Sequence, residues 1–389
     1  MGSEITLSAG KLNLDWGKNQ FFTNYSSLFK SEDLTDISYD YADEIVEIKP
    51  GYKRPLKNVR LRLDLLGYSM KSLESMYKDY LKRCYEPLDI EFSVFCKALS
   101  GINLSNHNAQ WEHYEFEMAF EGVIHQAPLE ELTRNYGKRE LLEFIDGIDP
   151  LLVLRLFCEN PSNENSHVYW QTNDVIEGGW VTTDEVYTTL GVRDKYLIIT
   201  EGSSDSFILK KSLELLKPDI TDFFYFVDME ENYPFTGTGN LYNFCQGLSS
   251  IMLLNKVIVV FDNDVEGVIN YSRTKALDLP SNISVMTLPN MVDFENFQTV
   301  GPSGVSVENI NGKGVAIECF LDMPPGIDPV VRWHSFNKNA KKYQGVLEKK
   351  DKFVKHFKKS YGSASYQLDK LGYLLDRIIE TAIAQTALK

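Results

Sequence analysis

Tyr196-Leu197-Ile198-Ile199-Thr200-Glu201-Gly202-Ser203-Ser204-Asp205 is the stretch on which the fold turns. Its first half is a short apolar run, the pattern of a strand buried on both faces of a parallel sheet. The run leads directly into an acid. In such sheets ligands gather outside the carboxyl ends of the strands, so Glu201 stands where a reacting group belongs. Gly202 is read as the residue that lets the chain turn tightly. Asp205, four residues after Glu201, falls in the first turn of the next helix, where it faces the same opening and suits the helix N-terminus.

Further along, Val257-Ile258-Val259-Val260-Phe261 repeats the theme and ends in Asp262-Asn263-Asp264, followed by Glu266-Gly267. Side chains alternate along a strand, so Asp262 and Asp264 point the same way. Two like charges side by side are costly unless a cation offsets them. Carboxylate oxygens suit Mg²⁺ or Mn²⁺ better than zinc. Phe223–Val227 and Ile283–Leu288 are two more apolar runs, and strands alternating with helices are the mark of an α/β fold. Asp228, Glu230 and Glu231 also follow a strand and are read as surface acids. The final segment, Tyr366–Leu388, is an amphipathic helix with Leu368, Leu371, Leu375, Ile378 and Ala382 at helical spacing. It packs on its own domain in the first reading and forms a seam between two copies in the second.

Upstream, the first 55 or so residues mix short alternating runs (Ile5-Thr6-Leu7-Ser8, Ile45-Val46-Glu47-Ile48) with polar turns, a small β-containing start. From Lys57 to about Cys158 the period is helical. Leu73, Met76, Tyr77, Tyr80 and Leu81 share a face. Pro87-Leu88-Asp89 is expected to open a helix bearing Phe92, Phe95 and Cys96, and Pro128 and Pro150 open two more. Asn160–Ser166 and Gly178-Gly179 are loops. The expected domains are residues 1–185, residues 186–330, and residues 331–389 with a basic segment and the last helix. Trp16 and Trp111 are read as core residues.

The 389 residues carry a net charge of −15, which excludes a general nucleic-acid coat protein. An acidic chain can still grip nucleic acid through a local strip. Arg332–Lys359 holds ten lysines and arginines against Glu348 and Asp351. Within it Lys338, Lys341, Lys342, Lys352 and Lys355 are the candidate backbone contacts. The five cysteines are dispersed and odd in number, as in a reduced, cytoplasmic chain without structural zinc. No run approaches the roughly 18 apolar residues of a membrane span, so no membrane association is expected.

Strand–Glu201-Gly202 followed by strand–Asp262-Asn263-Asp264 resembles the Toprim domain of topoisomerases, primases and OLD-family nucleases. The pairing of Glu201 with Asp205 is similar to the OLD branch. The resemblance covers about residues 193–320 and extends toward 360. It implies a Toprim-type Rossmann-like parallel sheet beside a mostly helical N-terminal domain. It also implies a Mg²⁺ (or Mn²⁺) site, with two ions, formed by Glu201, Asp205, Asp262, Asp264 and, from Asn309-Ile310-Asn311-Gly312-Lys313-Gly314-Val315-Ala316-Ile317-Glu318, Glu318. Lys349 or Lys350 corresponds to the lysine that supports the scissile phosphate in that branch. Met1-Gly2-Ser3-Glu4-Ile5 through Leu14-Asp15-Trp16-Gly17-Lys18-Asn19 resembles the HEPN/Toprim-associated domain fused to nuclease effectors of prokaryotic immunity.

Together these resemblances imply a metal-dependent endonuclease of antiphage defence acting on RNA, such as tRNA, or on DNA. The alternatives are a non-catalytic Toprim scaffold and a primase- or topoisomerase-like strand-transfer enzyme. No Arg-x4–6-His motif marks a second catalytic centre. OLD proteins usually carry an ATPase, but neither Gly301-Pro302-Ser303-Gly304 nor Gly312-Lys313-Gly314 fits its phosphate loop. Control of activity then falls to a partner such as an ATPase or sensor, to homo-oligomerisation, or to the N-terminal region.

Overall fold

Ile5, Leu7 and Ala9 alternate along β1 (Glu4–Ala9) and are almost fully buried. They form one side of a five-stranded antiparallel sheet with β2 (Leu12–Lys18), β3 (Leu34–Asp40), β4 (Val46–Pro55) and β5 (His167–Gln171). The strand order is β2-β1-β5-β4-β3. The central strand thus comes from far downstream, and its Trp170 is the sheet's anchor. Trp170 is 1% exposed and stacks on Phe29 at 6.0 Å. Trp16 does not share that role. It sits on β2 with 46% of its surface exposed, opposite in expectation to a core residue, because it falls on the outward side of the strand alternation.

The helices α1 (Leu56–Leu66), α2 (Met70–Arg83), α3 (Phe92–Ser100), α4 (Ala127–Tyr136), α5 (Lys138–Asp146) and α6 (Pro150–Phe157) follow, with the short α7 (Asn173–Glu177) and α8 (Thr183–Val186) after β5. Pro128 and Pro150 lie in the first turns of α4 and α6, and the Asp149 carboxylate caps α6 through the amide of Leu151. α3 starts at Phe92, not at Pro87. The buried Ile90 accepts a hydrogen bond from the Tyr77 hydroxyl at 2.9 Å and holds the preceding segment out of the helix.

The computed structural model describes residues 2–41, 45–107, 116–226, 238–249, 251 and 255–386, with the side chains of 116–119 left aside. Trp111, Asp228, Glu230, Glu231 and the end of the last helix lie outside the described residues. The chain divides into two units, Met1–Leu190 and Gly191–Lys389.

The second unit is a parallel α/β layer. β6 (Tyr196–Ile199), α9 (Ser203–Leu216), β7 (Phe224–Phe226), α10 (Thr238–Ser249), β8 (Lys256–Phe261), β9 (Asn263–Asp264), α11 (Val265–Lys275) and β10 (Ile283–Thr287) alternate along the chain. The sheet order is β10-β8-β6-β7, every pair parallel. All six residues of β8 are buried, and each apolar one contributes about 1.5–3 kcal/mol relative to exposure. Val257, Val259 and Phe261 pack toward Leu241, Cys245 and Leu248 of α10. On the other face Ile198 meets Leu209 and Leu213 of α9 and Leu375, Ile378 and Ile379 of α13 (Asp369–Thr386). The last helix therefore packs within its own unit, as its periodicity implies.

β11 (Phe297–Gly301), β12 (Gly304–Glu308), β13 (Gly314–Val315), β14 (Val331–Asn337), β15 (Lys342–Leu347) and α12 (Lys350–Ser360) complete the unit. Their second sheet runs β12-β11-β14-β15, and β13 pairs with β9. The basic segment is thus a hairpin followed by a helix.

Candidate metal centre

β7 and β8 flank β6 on opposite sides, so successive crossovers leave the carboxyl end of β6 in opposite directions. This is the topological switch point at which open α/β sheets bind ligands. The parallel register pairs Ile199 with Val259, which brings the acids just beyond the two strands together. The amide of Asp262 donates to Oε1 of Glu201 at 3.0 Å. Asp205 lies in the first turn of α9, with Oδ2 accepting from the amide of Gly202 at 3.1 Å.

Asp264 caps α11. Its Oδ1 accepts from the amide of Gly267 at 2.7 Å, and its other oxygen accepts from the side-chain amide of Gln344 on β15. Both oxygens are therefore already engaged. Glu318 sits in a 3-10 turn, Ile317–Phe320, and is 7% exposed. Lys350, the first residue of α12, reaches it at 3.6 Å.

Burial, and then mutual repulsion, set the titration of this cluster. Glu201 is pushed up to about 8, by burial first, against the Asp262 amide, and with the charges of Asp264 and Asp205 adding. Asp205 is pushed up to about 7 by burial and by Glu318. Asp262 is raised well above the carboxylate range by burial, with Asp205 and Glu201 adding. Asp264 is raised by burial, opposed by its hydrogen bonds to Gly267 and Gln344. Burial disfavours the charge on Lys350, but Glu318, Asp262 and Asp205 outweigh it and keep the ammonium protonated.

The structure thus brings Glu201, Asp205, Asp262, Asp264, Glu318 and Lys350 to one neighbourhood. Lys349 is exposed, with its backbone in the left-handed region (φ 57°). Lys338, Lys341 and Lys342 lie at and beside the β14–β15 turn, and Lys352 and Lys355 lie on the open face of α12, all five exposed. Among the described residues, no three His, Cys, Asp or Glu side chains are drawn close enough to hold an ion as they stand. By donor type and charge the acids fit a hard divalent cation. Closing round one takes side-chain rotation at Glu201 and Asp205, whose oxygens now face backbone amides.

Three further residues shape the site, of which Gln344 lies outside every motif. Gln344 also accepts from the amide of Glu266 at 3.2 Å, joining β15 to the start of α11. Buried Asn263 donates to the side-chain oxygen of Asn290 at 2.7 Å. At Gly267 a Cβ would fall 2.1 Å from the carbonyl oxygen of Asp262, so only glycine lets the helix start there. Its signal was present, since glycine in a first helical turn is costly without a reason. Gly202, in contrast, lies in the bend between β6 and α9 with φ −143°, extended backbone that any residue adopts, so the turn there does not depend on glycine.

Residues 1–194 match the family model for HEPN/Toprim N-terminal domain 1. The match supports the HEPN/Toprim-associated domain expected from Met1–Asn19. The match ends before β6, so the acidic cluster lies wholly beyond it. No curated protein and no solved structure matches the chain. Among the described residues no helix is long and apolar enough to cross a membrane.

Proposed function

We propose that the second unit is a Toprim-type, OLD-like catalytic domain that cleaves phosphodiester bonds with Mg²⁺ or Mn²⁺, and that the chain is an effector of prokaryotic antiphage defence. The family match supports a nucleic-acid-related role. The observation that carries the rest is the convergence of Glu201, Asp205, Asp262 and Glu318 around Lys350 at the switch point. A protein keeps so many crowded carboxylates, at a cost in stability, where a cation or a reaction uses them.

Glu201, Asp205, Asp262 and Glu318 would hold the ions, with Asp264 orienting the loop through its cap. Bound there, divalent cations supply charge to offset the developing negative oxygen and acidify a water. Lys350 would place an ammonium beside the scissile phosphate. Without a cation Glu201 holds its proton at neutral pH, a poise suited to proton transfer. The intact acids favour an enzyme over a binding scaffold.

The test incubates wild type and a Glu201→Ala/Asp262→Ala variant with plasmid DNA and total tRNA, each in Mg²⁺, Mn²⁺ and EDTA. Cleavage by wild type alone, and only with metal, is the expected result and identifies the polymer. Strand extension with nucleotides, or supercoil relaxation without net cleavage, would move the domain to the primase or topoisomerase class. A folded protein that cuts neither polymer overturns a self-sufficient enzyme and leaves control by a partner or by oligomerisation as the next experiment.

A further inference from the structure

The hairpin β14–β15 concentrates features that the acidic cluster does not use. From Trp333 to Leu347 the chain holds Lys338, Lys341 and Lys342 and not one acid, within a protein of net charge −15. None of these three lysines is ion-paired among the described residues. At the base of the tip, Phe336 and Tyr343 sit directly opposite each other across the strands, edge to face, 5.0 Å between centroids. A cross-strand pair of this kind knits a hairpin, but these rings remain 49% and 48% exposed.

The tip is well defined. The Asn337 side-chain oxygen accepts from the amides of Asn339 and Ala340, each at 3.0 Å. Lys341 takes a left-handed position in the turn (φ 53°). The hairpin is continuous with the acidic cluster. Tyr343 neighbours Gln344, the residue bonded to Asp264, about 3.4 Å along the strand, with its ring on the opposite face. Lys350 follows on the same chain.

We propose that the tip of the β14–β15 hairpin, whose strand runs on to Gln344 and Lys350, seats unpaired nucleotides, with Phe336 and Tyr343 stacking a base and Lys338, Lys341 and Lys342 holding the flanking phosphates. The proposal rests on the nucleic-acid reading above and narrows it to single-stranded or looped substrate. The charge selects a polyanion. The exposed rings select among polyanions, because only a base outside a duplex has a free face to stack. Elsewhere the chain's acidity repels a polyanion, so a seat must be local.

The test is a binding titration by fluorescence anisotropy on the full chain in EDTA, where no cleavage occurs. The probes are a 12-nucleotide oligouridylate, a 12-nucleotide oligothymidylate and a 12-base-pair duplex. Phe336→Leu/Tyr343→Leu is expected to weaken single-strand binding by about 5-fold or more and leave duplex binding unchanged. Lys338→Gln/Lys341→Gln/Lys342→Gln is expected to lower the salt slope on single strands by about 2. The swap Phe336→Tyr/Tyr343→Phe keeps the rings and retains affinity, which separates stacking from damage to the hairpin.

Equal losses on duplex and single strand, no loss on either, or a wild type that binds neither polymer overturns the proposal. If no variant or condition gives cleavage while the ring-dependent preference persists, the nuclease reading falls and the seat stands.

Discussion

Gly267→Ala is the most exacting test of how the site is built. The added Cβ falls 2.1 Å from the carbonyl oxygen of Asp262 and 2.9 Å from its carbon. Non-bonded contact needs at least about 3 Å, so the backbone of Asp262 or the first turn of α11 moves by about 1 Å. Alanine returns about 1 kcal/mol of helix propensity. Overpacking costs about 1–3 kcal/mol, toward the upper end here because the obstacle is backbone. The expected net loss is about 1–2 kcal/mol, or roughly 2–8 °C in Tm at about 2–4 °C per kcal/mol for a unit of this size.

The same shift stretches the 3.0 Å hydrogen bond from Asp262 to Glu201 and displaces two acids from one another. The rise in Tm that the proposed Mg²⁺ site should give therefore shrinks along with the basal Tm. Gly202→Ala is the control, three residues past the end of β6 and directly beside Glu201 in sequence. Its Cβ meets nothing closer than 3.6 Å, and the change stays within about 0.5 kcal/mol. Differential scanning fluorimetry in EDTA and in Mg²⁺ reads both effects. A Gly267→Ala protein with wild-type Tm and wild-type Mg²⁺ response, or a Gly202→Ala protein equally impaired, refutes the packing argument.

Other outcomes follow from the same geometry. Asp264→Ala loses the cap of α11 and about 1 kcal/mol in chemical denaturation, whereas Asp264→Asn, which still accepts from the Gly267 amide, keeps most of that stability. Lys350→Met removes the cation beside buried Glu318. The lysine is partly exposed, which discounts the loss to about 1–2 kcal/mol in EDTA, and Mg²⁺ restores it. Glu201 and Asp205 have folded pKa values raised to about 8 and about 7, so their contribution to the stability of the metal-free protein is fully present below about pH 4 and is lost as pH rises through 7–8. Between pH 5 and pH 8 wild type should lose Tm relative to Glu201→Gln, and the Mg²⁺-induced rise in Tm should grow. A flat difference across that range contradicts the assigned crowding.

The parallel sheet was legible because buried strands advertise themselves as apolar runs, and because Glu201 and Asp262 stand just past two of them. The antiparallel sheet of the first unit was legible only in part. Its central strand, His167–Gln171, lies beyond six helices, and pairing across that distance leaves no local periodicity. Gln344 escaped for a related reason. It reaches Asp264 across 80 residues through one amide, and glutamine on a strand carries no motif. The choice between Lys349 and Lys350 was open in sequence. Helix geometry separates them, since the first stands at the left-handed cap and the second opens α12 beside Glu318.

Gly345 gives the hairpin a mechanical division of labour. Its amide donates to the carbonyl of Lys313 at 2.7 Å, and a Cβ there would sit 2.6 Å from Val331 Cγ1. The backbones of Gly314 and Gly345 touch, so this point acts as a rivet. On the Asn337–Lys341 side the loop can lengthen, shorten or change charge without disturbing what the rivet holds. On the Leu347–Lys350 side a single inserted residue would rotate Lys350 away from Glu318. Variation between related chains should therefore collect on the near side of the rivet and be purged from the far side, which separates tuning of what is held from upkeep of the chemistry.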